Sequence, residues 1–413
     1  LMSYLEQSTR YSSYDSRFGG RYRYFRDPEI MESTYGARYI GDMDRIFDTY
    51  AHLVPQMQEF VREQFPKHPD DGDFVYRQAV KAKAFDALRG LLPAASLSNV
   101  GIYGTGQAYE ALLLRMRSHP LPESRYYADL MLKELRKVIP SFLERVDRED
   151  RGVVWSGYLE ETREDTADVV TALFPEGSVV DPSPTVRLVD FDPEGEIKMV
   201  ASMMYQHSTM SEEQLERRVA AMNHEDRMAV IRAYVGDRRN RRHKPGRALE
   251  RPFYRFDVLV DYGAFRDLQR HRMLSMDWQK LSPHHGYISS PLVEAAGMSG
   301  VYEEAMHRSA DLYDLLVDDF PDQASYAISL AYKIRFNMNI NARSAMHLIE
   351  LRTTPQGHPS YREVGQEMHR LIAEEAGHTA IAEMMKFVDN TDETDLERLQ
   401  SERRAQEKRQ STK

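Results

Sequence analysis

The chain has 413 residues, 41% hydrophobic and 29% charged, with a formal net charge of -10 and no cysteine. That length accommodates two domains or a duplicated one, and the mix is that of a globular protein. The lack of cysteine excludes disulfides, thiolate zinc sites, iron–sulfur clusters and every Cys nucleophile, and the acidic balance argues against indiscriminate nucleic-acid binding. No apolar run approaches the roughly 18 residues a spanning helix needs. The opening LMSYLEQSTRYSSYD is polar and does not read as a signal peptide, so a cytoplasmic protein with no membrane partner is the default expectation.

From the N-terminus, Ile46, Phe47, Tyr50, Leu53, Val54, Met57, Phe60 and Val61 recur at spacings of three and four, which predicts an amphipathic helix over 41–63. Further helices are expected at about 75–92, 105–118 and 123–147. Residues 148–184 turn acidic and proline-containing and read as a boundary. The expected division is therefore a first unit at 1–150, a linker at 151–184, a second unit at 185–389 and a charged tail at 390–413. TVRLVDFDPEGE reads as a strand and turn, followed by a polar helical stretch over 194–235. The basic run DRRNRRHKPGR at 237–247 reads as a solvated loop or as a loop for an anionic ligand. YRFDVLVD alternates strictly, with Tyr254, Phe256, Val258 and Val260 on one face, as a strand with one wet face does. A helix is expected from 262, and two more at about 296–319 and 323–387.

The chemistry concentrates in two stretches. FRDLQRHRMLSMD at 265–277 carries an Arg-His-Arg triplet behind an amphipathic segment. On a helix beginning near 340, Asn341 and Arg352 are eleven residues apart and share one face, while Arg343 and His347 share another. Either set alone could be surface solvation; two arginine-rich clusters on separate helices suit a polyanionic ligand such as a nucleotide. A weak internal repeat relates YGTGQAYEALLLRMR at 103–117 to INARSAMHLIELRTT at 340–354. GIYGTG at 101–106 has no strand clearly before it and is a poor dinucleotide loop. SPHHGY at 282–287 reads as a turn, and the Met-rich segments read as core filler.

FRDLQRHRMLS together with NARSAMHLIELR resembles the paired signatures of the flavin-dependent thymidylate synthases. The resemblance extends to LEQSTRY at 5–11 and to LRGLLP at 88–93, pieces the second half lacks: it has Lys280, Ser282 and Pro283 where the first has Ser8, Arg10 and Tyr11. It implies an α/β (α+β) fold of two tandem repeats, each a small, mostly antiparallel sheet with long helices, the first repeat truncated at its N-terminus. It further implies a homo-oligomer whose sites combine residues of both repeats.

The function so implied is methylation of dUMP to dTMP, with methylenetetrahydrofolate as carbon donor, FAD as redox carrier and NADPH as reductant; the alternative is a non-catalytic relative that binds nucleotide or is structural. Arg352 matches the family's catalytic arginine. Glu6, Ser8, Thr9, Arg10, Arg89, Arg270 and Arg352 would bind dUMP. Arg270, His271, Arg272, Asn341, Arg343, His347 and Glu250 would face FAD, and no metal is implied. Two departures stand out: Arg251 replaces a second His after Glu250, and Asp267 occupies a position usually held by Gln. A carboxylate there is unfavourable beside a nucleotide unless it is paired.

Overall fold

The computed structural model describes residues 2–7, 12–69, 71–174 and 183–391. They form two compact units that interleave along the chain: Leu1–Asp48, Pro93–Pro182 and His307–Ala327 in one, and Thr49–Leu92, Ser183–Met306 and Ile328–Lys413 in the other. The architecture is α/β, with small antiparallel sheets and many helices.

The first unit carries a two-stranded ribbon, β1 (Ser3–Glu6) against β2 (Val100–Tyr103). The helices Gly106–Arg117 and Pro122–Leu135 enclose a core of Leu113, Leu114, Ala128, Leu132, Leu143 and Val146. The helix Val154–Leu173 lies within the stretch expected to join the repeats, and its Ser156 hydroxyl donates to the Leu114 carbonyl at 3.1 Å. β2 runs directly into Gly104–Thr105–Gly106, so a strand does precede this turn; Thr105 caps the following helix by accepting from the Ala108 amide.

The second unit is built on a four-stranded sheet. Its strands β3 (Val186–Phe191), β4 (Phe253–Asp261), β5 (Leu274–Trp278) and β6 (Lys333–Asn341) lie in the order β3-β4-β6-β5, each pairing antiparallel. Side chains of directly opposed residues lie on one face. Tyr254, Phe256, Val258 and Val260 of β4 therefore share a face with their partners Ile340, Met338, Phe336 and Ile334 of β6, and all eight are buried. The opposite face pairs Arg255 with Asp190 at 3.2 Å and Arg335 with Asp257 at 3.1 Å. The alternation expected for β4 is present. The long helix expected over 323–387 is not: residues 333–341 are a strand, because Ile334, Phe336, Met338 and Ile340 recur at period two. Helices follow at Ala342–Arg352 and Pro359–Glu374. The expected 194–235 segment divides into Gly195–Tyr205, Glu212–Ala221 and His224–Val235, with Ser211 and Asn223 as caps.

The two ribbons repeat one another. One shift along each strand lays the pairs Ser3–Tyr103, Tyr4–Ile102, Leu5–Gly101 and Glu6–Val100 onto Ser275–Asn339, Met276–Met338, Asp277–Asn337 and Trp278–Phe336. Both ribbons lead into a capped helix, at Thr105 and at Asn341. Thr105, rather than Gly104, is thus the counterpart of Asn341.

The basic run is anchored rather than free. Arg238 is 2% exposed and forms a bidentate pair with Glu350, at 2.7 and 2.6 Å, while also donating to the carbonyls of His243 and Met384 at 2.7 Å. A buried pair of this kind stabilises little by itself, but removing one member strands a charge. Glu350→Ala is expected to lower stability by about 3–5 kcal/mol, read as a fall in the urea midpoint. Replacing both Arg238 and Glu350 by well-packed apolar residues should recover most of that loss.

Candidate functional site

Three local devices in the second unit bring the cationic side chains together. Arg89 opens a 3-10 turn, Arg89–Leu91, at the end of the helix Asp73–Leu88. The turn is pinned by backbone bonds from Ala331 to the Gly90 carbonyl at 3.0 Å and from Leu330 to the Leu92 carbonyl at 2.9 Å. Asp261 ends β4 and caps the helix Tyr262–Leu268 by accepting from the Ala264 amide at 2.9 Å. At Gly263 a Cβ would lie 3.0 Å from Asp261 Oδ1 and 3.5 Å from Arg89 Nη2, so glycine leaves the guanidinium room to lie against the helix start. Asn341 ends β6 and caps Ala342–Arg352 through the Ser344 amide at 2.9 Å, which places Arg352 at the far end of that helix.

The three arginines converge on Asp267. Arg270 Nη1 lies 3.3 Å and Arg352 Nη1 3.5 Å from its Oδ1, and Arg89 Nη1 lies 3.7 Å from its Oδ2. The carboxylate is thus paired, which resolves the departure noted in the sequence. Arg89 also lies 3.6 Å from Asp86, is 4% exposed, and among the described residues its buried Nη2 has no hydrogen-bond partner. Burial raises the Asp261 carboxyl above the usual range, with the Arg89 charge and a hydrogen bond from Ser360 opposing it.

Arg352 is held on several sides. Its Nε donates to His271 Nε2 at 3.0 Å, its Nη2 donates to the Asp267 carbonyl, and its guanidinium carbon lies 5.3 Å from the centre of the Tyr361 ring. Burial lowers its pKa, and the Asp267 charge works against that shift. Burial pushes the His271 imidazole down to about 3, reinforced by Arg352, His347 and Lys244. It is therefore neutral near pH 7, and as it accepts at Nε2 its proton resides on Nδ1. The His347 ring meets it edge to face at 5.5 Å, and burial with Lys244, Arg241 and Arg352 lowers the His347 pKa too.

The remaining sequence candidates fall elsewhere. Arg343 donates to the Pro245 carbonyl at 2.9 Å and pairs with Glu250 at 3.0 Å, so these two candidates bind each other. Arg272 is exposed. Glu6 lies in the first unit on β1, opposite Val100. Ser8, Thr9 and Arg10 lie outside the described residues. The sequence reading did not single out Tyr361 or Asp86, and it marked Arg241 and Lys244 only as members of the basic run at 237–247; the i, i+3 spacing of Asp267 with Arg270 and of Asp86 with Arg89 signalled those two pairs. Among the described residues no group of acidic, His or Cys side chains is arranged to hold a metal, and no helix is long and apolar enough to cross a membrane.

The family model described as thymidylate synthase complementing protein matches residues 1–141 and 187–378, two segments that each contain one of the repeated ribbons. The chain belongs to this family. A UPF0159 protein of Chlamydia pneumoniae is 38% identical over 405 residues, covering 97% of this chain and 75% of its own. A UPF0159 protein of Thermoplasma acidophilum is 30% identical, covering 95% and 81%. The flavin-dependent thymidylate synthase of Helicobacter pylori, solved with FAD and dUMP, is 19% identical over 47% of this chain and 97% of its own, with a TM-score of 0.35. A UMP/dUMP methylase of Streptomyces cacaoi bound with 5-Br dUMP is 19% identical over 50% and 97%, with a TM-score of 0.37.

The neutrality of His271 has a measurable consequence. Its folded pKa of about 3 lies below the ordinary value of 6.5, so between those limits the unfolded chain takes up a proton that the folded chain refuses. Its contribution to stability is complete above about pH 6.5 and is lost as the pH falls toward 3. In nitrogen-15 spectra the His271 ring should keep its Nδ1–H form from pH 8 to pH 5, and His271→Ala should flatten the acid limb of the stability profile.

Proposed function

We propose that this protein is a flavin-dependent thymidylate synthase that converts dUMP to dTMP, with methylenetetrahydrofolate as carbon donor, FAD as redox carrier and NADPH as reductant. The observation that carries the reading is the array of Arg89, Arg270 and Arg352 gathered around Asp267, with Arg352 fixed by a neutral imidazole. Guanidiniums give phosphate and carbonyl oxygens charge-assisted, bidentate contacts. Arg89, with an unsatisfied buried Nη2, and Arg270 would take the nucleotide phosphate. Arg352 would lie against the uracil ring, where its charge stabilises negative charge developing at N3 and O4; a donor immobilised before the reaction does this with no reorganisation. The absence of cysteine accords with chemistry that uses no thiolate nucleophile.

The side chains beside this array fit a flavin. His271 and His347 offer two neutral ring faces and edges, and Arg241 and Lys244, which depress the His347 pKa through space, supply charge suited to a pyrophosphate. A flavin held here, once reduced by NADPH, would supply the reducing equivalents of the methyl transfer. Arg343, Glu250 and Asn341 hold the loop and the helix start beside these rings and would shape that side of the site.

The test is tritium release from 5-tritiated dUMP by the purified full chain, with and without methylenetetrahydrofolate. Wild type should be yellow and release tritium; Arg352→Ala should fold and bind flavin but release tritium at least ~100-fold more slowly, the scale of losing one preorganised donor. A colourless wild-type protein that binds dUMP and releases nothing would replace this reading with that of a non-catalytic nucleotide-binding relative.

A further inference from the structure

Asp267 stands at the centre of the array, and the chemistry above gives it no task. Its side chain is 14% exposed, and its ion pairs at 3.3, 3.5 and 3.7 Å are longer than the 2.6–2.7 Å fork that Arg238 makes with Glu350. Contacts of that length hold by charge more than by hydrogen-bond geometry. The same residue also binds Arg352 through its own backbone carbonyl. A carboxylate within a cluster of cations has two opposed effects: it offsets the mutual repulsion that would splay the guanidiniums, and it cancels part of the potential an incoming anion would feel.

We propose that Asp267 is a positioning residue acting as a built-in counter-ion, which keeps Arg89, Arg270 and Arg352 converged before nucleotide arrives and weakens the site's attraction for phosphate while fixing the direction of Arg352. The idea rests on the nucleotide reading above. It makes affinity for dUMP rise while turnover falls when the charge is removed, which neither a ligand contact nor a purely structural role would do. A lost ligand contact weakens dUMP binding, and a lost structural contact weakens binding and turnover together.

The experiment compares wild type with Asp267→Asn, Asp267→Gln and Asp267→Glu, using dUMP as the titrant and tritium release as the rate. For Asp267→Asn and Asp267→Gln the Kd for dUMP should tighten by about tenfold, the order set by removing one nearby like charge in a partly screened site, while kcat falls tenfold or more. Asp267→Glu, which keeps the charge, should restore both toward wild type. Weaker dUMP binding in the neutral variants, or unchanged Kd and kcat, would overturn the proposal. A parallel measurement needs no substrate: the rate at which phenylglyoxal modifies Arg352, followed by peptide mass spectrometry, should rise severalfold in Asp267→Asn as the guanidinium is released. If wild type binds no dUMP, the functional reading fails, and this rate alone decides the role of Asp267: no change from wild type sinks it. Should Asp267→Asn fail to fold, Asp267→Gln carries the same comparison.

Discussion

Nine consecutive pairs, from Phe253–Asn341 to Asp261–Lys333, fix β4 against β6 and with them the two ends from which the site's helices start. Because the strands are antiparallel, one helix leaves the sheet at Asp261 and the other leaves from the opposite end, at Asn341. Arg352 is eleven residues beyond Asn341, roughly 16 Å at 1.5 Å per residue, and Asp267 is six beyond Asp261, roughly 9 Å. Together these nearly match the roughly 27 Å that the paired strands span, so the helices return along the sheet and their polar ends meet. A slip of one residue between β4 and β6 would turn Tyr254, Phe256, Val258 and Val260 away from the buried face. The apolar pattern thus enforces the register, and the register enforces the meeting of Arg352 with Asp267.

Two arginines of the second unit illustrate different answers to the same electrostatic problem. Arg238 and Arg89 are both almost wholly buried, and a guanidinium taken out of water is costly unless its donors are met. Arg238 meets them with both oxygens of Glu350 and with carbonyls of His243 and Met384, and so fastens the basic run to the helix Ala342–Arg352. Among the described residues Arg89 has long ion pairs to Asp86 and Asp267, and one buried nitrogen without a hydrogen-bond partner. The first is a completed structural bond. The second keeps an unmet donor, and on the reading proposed above that donor would meet the nucleotide, so the completeness of its partners separates the two cations more sharply than burial or residue type does.

That distinction explains what could be read in the sequence. Period-two alternation marks β4 by itself, and the Arg-His-Arg and Asn-x-Arg segments point to the two elements that meet. The same alternation is present in β6, but the helical pattern that follows at Ala342–Arg352 and Pro359–Glu374 runs straight on from it and hides the boundary. β5 is harder still: it is a short edge strand with Trp278 exposed, so no buried stripe marks it. In the basic run, Arg238 looks like its neighbours, since its distinction lies in Glu350, more than a hundred residues away. The interleaving of the two units leaves no compositional trace, because it depends on long-range contacts.

The repeated ribbons show which features a duplicated scaffold must keep. β1–β2 and β5–β6 share register, and each runs into a helix capped by a short polar side chain, Thr105 or Asn341. Those requirements are generic: extended pairing, one hydroxyl or amide to accept a backbone N–H, and an apolar helical stripe. The cations of the site are specific, and aligned by these caps the first copy has Gln107 where the second has Arg343. A glutamine can sit on a helix as well as an arginine can, so the fold is indifferent to the exchange. It cannot make the ion pair that Arg343 forms with Glu250. Fold and site therefore place separate demands on the same segment, and a copy can meet the first in full without meeting the second.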